Sequence, residues 1–180
     1  AATLMLIDRS GATPKVLLGR RHASHKFMPG KFVFPGGRIE LLDRIMPAAS
    51  EPHPEMQKKL LERVAEPSAQ LARGFPLAAV REMAEETGLL LGLRRDIAPQ
   101  VPGEIWADFA KAAVHPDLAN VHFIARAITP PRRPKRFDAR FFTADASAVA
   151  HKIEGIVGPQ SELIELVWVP IEEATKLDMP

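Results

Sequence analysis

Ala78-Ala79-Val80-Arg81-Glu82-Met83-Ala84-Glu85-Glu86-Thr87-Gly88-Leu89 is the stretch on which the reading of this chain turns. It holds no Gly or Pro until Gly88, and Gly is the usual residue just past a helix end. Wound at about 100° per residue, it places Leu77, Val80, Met83, Ala84 and Thr87 on one side and Glu82, Glu85 and Glu86 on the other. Glu85 and Glu86 follow Glu82 at i+3 and i+4, so three carboxylates share one face and repel, each i,i+4 like pair by roughly 0.2–0.5 kcal/mol. Arg81 can pair with Glu85 one turn on. A bound divalent cation would offset far more, because Mg²⁺ is a hard ion that takes carboxylate oxygens. Two readings stand at this point: a solvated acidic helix face, or a metal site.

The composition sets bounds around that helix. A chain of 180 residues, 46% apolar and 26% charged, suits one soluble domain with a full core. It has no cysteine, which excludes disulfides and thiolate metal sites and fits a reducing, cytoplasmic setting. No apolar run approaches the ~20 residues of a membrane span. The opening residues 1–8 lack a basic segment and meet Asp8 too early for a signal peptide. A net charge of +2 is compatible with an anionic small molecule and does not require nucleic acid.

Working outward, Thr3 to Ile7 and Val16 to Gly19 flank turn chemistry at Asp8-Arg9-Ser10-Gly11-Ala12-Thr13-Pro14, which predicts a β-hairpin. Arg20, Arg21, His22, His25 and Lys26 then form a basic exit that either faces an anion or lies at plain surface. Lys31 to Phe34 reads as a strand running into Pro35-Gly36-Gly37, where the backbone is free to approach a ligand closely. Residues 44–76 carry five prolines and one helical spacing, Met56, Leu60, Leu61 and Val64. They predict a loop, a helix at 54–66 and a second loop, forming either a surface excursion, a lid or a dimer contact. After the acidic helix, Leu89 to Leu91 reads as a strand, Gly103 to Val114 as a helix, and Val121–Ile128, Phe137–Thr143 and Leu163–Val169 as strands. Ile171 to Leu177 predicts a closing helix. Trp106 and Trp168 occupy apolar positions and read as core, and the six histidines form no ligand pair. The basic turn Pro130-Pro131-Arg132-Arg133-Pro134-Lys135-Arg136 lacks the aromatic residues of a nucleic-acid surface; it contacts phosphate or solvates a loop. Interspersed strands and helices predict an α/β domain with a mixed sheet.

The Gly pair and the acidic helix are more informative together. Gly37, five residues, Asp43, a gap, and then Arg81-Glu82-Met83-Ala84-Glu85-Glu86-Thr87-Gly88-Leu89 resembles the Nudix box of the Nudix hydrolases. The second half agrees at every specified position. Asp43 stands where the box has Glu, and residues 44–80 number 37 where it has seven, an insertion of 30. Phe34-Pro35-Gly36-Gly37, Arg136 to Phe142 and Trp168-Val169-Pro170 are similar to the coenzyme A diphosphatase-like branch, whose members carry such an insertion.

The resemblance implies one Nudix domain over 1–180, an α/β/α sandwich around a mixed β-sheet, with the loop-helix-loop inserted at about 44–76. It implies metal-dependent hydrolysis of a nucleoside diphosphate linked to another moiety, coenzyme A or acyl-CoA first and a nucleotide sugar or ADP-ribose second. Glu82, Glu85, Glu86 and the Gly37 carbonyl match the ligands of Mg²⁺ or Mn²⁺, Arg81 the residue that orients the glutamates, and Asp43 a structural partner. Glu82 is the candidate base; Glu154, Glu162 and Glu165 are candidates outside the box, and no substrate-binding residue is assigned. The expected partner is a small molecule, with neither nucleic acid nor membrane, and a homodimer is the expected assembly if the chain pairs at all. The chemistry agrees: divalent ions neutralise an anionic diphosphate and polarise its phosphoryl oxygens. The alternative is a Nudix-fold module that binds or senses a nucleotide without turnover.

Overall fold

The computed structural model describes residues 1–25, 28–132 and 136–179. The chain opens with the expected hairpin, β1 (Ala2–Asp8) against β2 (Lys15–Arg21), with Ile7 opposite Val16. Alternation along β1 sends Ala2, Leu4 and Leu6 to one face and Met5 and Ile7 to the other, so each face can be covered separately. The strand expected before the Gly pair is two short pieces, β3 (Phe32–Val33) on β2 and β4 (Gly36–Gly37) on β1, because Pro35 falls between them and has no N–H to continue a ladder.

A 3-10 turn at Leu42–Arg44 leads into residues 44–76, which contain α1 (Pro54–Leu60). That helix is shorter than the predicted 54–66: Arg63 takes φ 54°, outside the helical region, and closes the turn that follows. Met46, Met56 and Leu60 are nonetheless buried in the main core, beside Leu77 and Trp106.

Helix α2 (Ala69–Thr87) starts well before the predicted position and carries Pro76 in its interior. A proline normally ends a helix. Here Phe75, Pro76 and Leu77 are all buried, and Ser68 caps the start by accepting from the Leu71 N–H. Gly88 ends the helix as expected, at φ 77°, with its N–H donating to the Ala84 carbonyl.

Beyond it come β5 (Leu89–Leu91) and β6 (Leu93–Arg94). The helix expected over 103–114 is a 3-10 turn, Glu104–Trp106, followed by α3 (Ala107–Lys111). Ala113 takes φ 53°, and Val114 belongs to β7 (Val114–His115) instead. β8 (His122–Ile128), β9 (Asp138–Asp145), β10 (Val149–Lys152) and β11 (Leu163–Pro170) complete the strands, and the closing helix α4 covers only Ile171–Ala174.

The main sheet runs β11-β2-β1-β9-β8, with β1 and β9 parallel and the other pairs antiparallel, which makes it mixed. Two small ladders, β10 with β5 and β6 with β7, lie outside it. On one face Leu4, Leu6 and Phe142 meet Leu77, Val80 and Met83 of α2. On the other, Val16 and Leu18 meet Ala174 of α4, with Ile7, Phe34, Val167 and Val169 around them. The result is the expected α/β/α layering. Trp106 is fully buried as read, with its ring 4.9 Å from that of Phe109. Trp168 corrects the reading: it is 40% exposed, because β11 is an outer strand of the sheet. No helix among the described residues is long and apolar enough to cross a membrane. Lys26 of the basic exit, Arg133, Pro134 and Lys135 of the basic turn, and Pro180 lie outside the described residues.

Candidate functional site

The last turns of α2 press against β4 and the 3-10 turn at Leu42–Arg44. Arg81 is the hub, almost wholly buried. Its Nε donates to Asp43 Oδ1 at 2.8 Å and its Nη2 to Asp43 Oδ2 at 3.1 Å and the Arg38 carbonyl at 2.8 Å. Nη1 donates to Glu85 Oε2 at 2.9 Å and stands 3.0 Å from Glu82 Oε1. Burial works against the guanidinium's charge, but Asp43, Glu82 and Glu85 more than offset it and raise its pKa. Asp43 is 0% exposed and also accepts the Glu40 N–H at 2.8 Å. A planar fork against a carboxylate needs this two-point fit. The two halves of the pattern therefore meet in space, with Asp43 and Arg81 bonded across 38 positions.

Gly37 explains the Gly pair. A Cβ there would lie 2.4 Å from the Glu82 carboxylate carbon, so any larger residue would push the Glu82 carboxylate out of its present place against β4. Glu82 is held up to about 7, first by burial, with Arg81 pulling down and Glu85 pushing up. Glu86, 7% exposed, is pushed up to about 8 by burial and then by the charges of Glu162 and Glu82, while the Gly36 N–H and Arg21 oppose. Its Oε2 is buried with no hydrogen-bond partner.

The three predicted glutamates thus share one face, but they do not converge. Among the described residues no three acidic or histidine side chains are gathered closely enough to hold an ion as they stand. Arg81 collects Glu82 and Glu85. Glu86 points into the site without such a partner. The donor chemistry suits a hard divalent cation: carboxylate oxygens beside the Gly37 backbone, and an unpartnered buried oxygen on Glu86.

Of the three acids named outside the helix, Glu162 belongs here. It bonds to Arg21 Nη1 at 2.8 Å, and it is the leading charge that raises Glu86. Glu154 faces Lys152 at 2.9 Å on the surface, and Glu165 faces Arg20 at 3.9 Å. Arg21 itself was readable only as one of five basic residues leaving β2. The pairing of Leu163 with Arg21 brings it to the site, along with Glu162. A cleft of about 360 Å³ beside them is lined by His22, Ser24, His25, Pro159, Gln160, Ser161 and Glu162. No local pattern marked it, since its two walls lie far apart in the chain.

No protein-family model matches the chain. Among solved structures, a Nudix hydrolase from Alicyclobacillus acidocaldarius is 26% identical, covering 99% of this chain and 84% of that one with a TM-score of 0.67. A MutT protein from Methanosarcina mazei Go1 is 18% identical over 99% of this chain and 82% of its own, with a TM-score of 0.51. The Nudix domain of Shewanella oneidensis NrtR, solved with ADP-ribose, is 13% identical over 99% and 76%, with a TM-score of 0.50. The last two share the fold alone. The chain carries the Nudix hydrolase fold, and its likeness to the Alicyclobacillus enzyme supports a place in that family.

Proposed function

We propose that the protein is a metal-dependent Nudix hydrolase that cleaves the diphosphate bond of a small nucleoside diphosphate derivative. The observation that carries this is the α2 face itself: Glu82, Glu85 and Glu86 beside the Gly37 backbone, with a buried Glu86 oxygen that has no protein partner. Mg²⁺ or Mn²⁺, held by Glu82, Glu85, Glu86 and the Gly37 carbonyl, would supply charge neutralisation and phosphoryl polarisation. Arg81, pinned by Asp43, orients Glu82 and Glu85. Glu82 is the residue assigned to take the proton from the attacking water. Glu162, opposite Glu86, is its competitor for the role.

The sequence ranks coenzyme A derivatives first as substrates and nucleotide sugars or ADP-ribose second. The fold accommodates ADP-ribose in the Shewanella domain. A cytoplasmic setting and a homodimer stay part of the reading, the first from the cysteine-free composition. The competing function is nucleotide binding without turnover, and the bonding of Glu82 and Glu85 to Arg81 is the feature that favours it.

The test is phosphate-release screening with Mg²⁺ or Mn²⁺ on coenzyme A derivatives, ADP-ribose, nucleotide sugars, dinucleotides and NTPs, wild type beside Glu86→Gln. Metal-dependent turnover that falls by orders of magnitude in the variant supports the enzyme. No turnover on any of these compounds, with nucleotide binding retained, would leave the binding module.

A further inference from the structure

Residues 44–76 set α1 beside the outer strand β8, and a cleft of about 300 Å³ lies between the two. We propose that this cleft binds a small carboxylate with an apolar body, an anion of the medium-chain fatty acid class, at a site separate from the carboxylate face of α2.

The fold fixes both walls. Met56 and Leu60 anchor α1 in the main core. After the helix, Arg126 of β8 donates to the Glu62 carbonyl at 2.6 Å, while its Nε and Nη2 each hold Asp138 at 2.7 Å. Before the helix, the Ala49 N–H donates to the Pro116 carbonyl at 2.7 Å and the Ala119 N–H to Ser50 Oγ at 2.9 Å. The walls are tied together on either side of α1, so a ligand meets a preformed shape and pays little to order it.

The lining sets the chemistry. Met56, Val121 and Phe123 make an apolar wall, with the Phe123 ring 5.8 Å from that of Phe142 in the core behind it. The polar side chains are His53, Lys59 and His122, and no carboxylate is among the lining residues. Among the described residues Lys59 makes no ion pair, not even with Glu55 one helical turn earlier, and the His122 ring makes no hydrogen bond. His53 Nδ1 accepts the Glu55 N–H at 3.3 Å, which leaves the ring proton on Nε2 to donate elsewhere. Every polar side chain can therefore donate, beside a wall that offers only burial. A carboxylate answers the donors and its hydrocarbon body answers the wall. A small inorganic anion would leave the wall unused, and an apolar amine would meet Lys59 with like charge.

The cleft also stands away from the proposed hydrolytic site. Gly37 pairs with β1, β1 with β9, and β9 with β8. Three strand spacings, about 14 Å at ~4.8 Å each, thus separate the Gly37 backbone from Phe123. Its occupant is a second ligand, and the proposal does not depend on the hydrolase reading.

Isothermal titration calorimetry in Mg²⁺ buffer with octanoate, octylammonium and acetate tests this, on wild type, Lys59→Glu, Lys58→Glu and Ala119→Phe. Wild type should bind octanoate with a Kd below about 1 mM, and acetate and octylammonium at least tenfold more weakly. Lys59→Glu should weaken octanoate at least tenfold. Lys58→Glu makes the same charge change on the same helix outside the lining and should bind octanoate as wild type does. Ala119 lines the cleft and is exposed, so Phe there fills the space without entering the core and should abolish binding, with circular dichroism showing the fold unchanged. Weaker octanoate binding than that limit, octylammonium or acetate binding as tightly as octanoate, equal losses in the two lysine variants, or wild-type affinity in Ala119→Phe would each overturn the proposal.

Discussion

Replacing Glu86 by Gln should make the metal-free protein more stable at high pH while removing a ligand the activity needs. Glu86 sits near 8 against an ordinary value of 4.5, chiefly because it is buried. Between those values the folded chain keeps a proton that the unfolded chain has released. Stability contributed by the protonated form is therefore complete below about 4.5 and is lost as pH rises through 8. At about 1.4 kcal/mol per pH unit, the loss attributable to Glu86 between pH 5 and pH 9 is roughly 4 kcal/mol. Glu82, near 7, adds a second loss of the same sign, largely complete by pH 8. Gln has the same shape and no charge, so it removes the first loss and keeps the second. Urea unfolding followed by circular dichroism in EDTA at pH 5, 7 and 9 measures this directly. Wild type and Glu86→Gln should lie within about 1 kcal/mol of each other at pH 5, and the variant should be ahead by at least 2 kcal/mol at pH 9. Parallel pH dependences would refute the reasoning, because they would mean that Glu86 ionises without cost in the folded state.

Four further outcomes follow from the same geometry. Mn²⁺ at about a hundred times its dissociation constant should stabilise wild type at pH 8 by ~2.7 kcal/mol, raising Tm by roughly 5–10 °C, with protons released on binding; the same Tm rise in Glu86→Gln would remove Glu86 from the site. Asp43→Asn leaves the buried Arg81 charge without its main partner and should cost about 3–5 kcal/mol by thermal or urea unfolding; a loss below 1 kcal/mol would show the pair to be dispensable. Gly37→Ala puts a methyl 2.4 Å from the Glu82 carboxylate carbon, and calorimetry should find Mn²⁺ binding at least tenfold weaker, with stability lower by only about 1–2 kcal/mol; wild-type affinity would contradict the close approach. Glu162→Gln should preserve the acidic limb of the kcat profile, and its disappearance, with a loss of about 10²-fold or more, would transfer proton acceptance from Glu82 to Glu162.

What could be read in advance was whatever local periodicity and backbone chemistry report. The end of α2 at Gly88 follows from one residue's freedom at positive φ, and the β1–β2 hairpin from alternation flanking a turn. The start of α2 was hidden by Pro76, since a propensity argument stops at a proline whereas burial of Phe75, Pro76 and Leu77 carries the helix through it. The predicted helices at 54–66 and 103–114 were too long because apolar spacing continues where Arg63 and Ala113 turn the backbone out of the helical region. At the site, Asp43 and Arg81 were readable as a pattern, though only the structure shows two hydrogen bonds between them. Arg21, Glu162 and the cleft beside them depend on the register of β11 against β2, a contact across about 140 residues that leaves no local trace.

The central claim is that the carboxylate face of α2 drives diphosphate hydrolysis through a divalent cation. Its most direct test is the initial rate of cleavage against Mg²⁺ concentration, beginning in EDTA, for wild type and for Glu82→Gln, Glu85→Gln and Glu86→Gln. The account predicts no turnover in EDTA, a saturating rise in wild type, and curves in all three variants that are displaced to higher Mg²⁺ or flattened, most severely for Glu86→Gln. Turnover that persists in EDTA, or variant curves that superimpose on wild type, would contradict it.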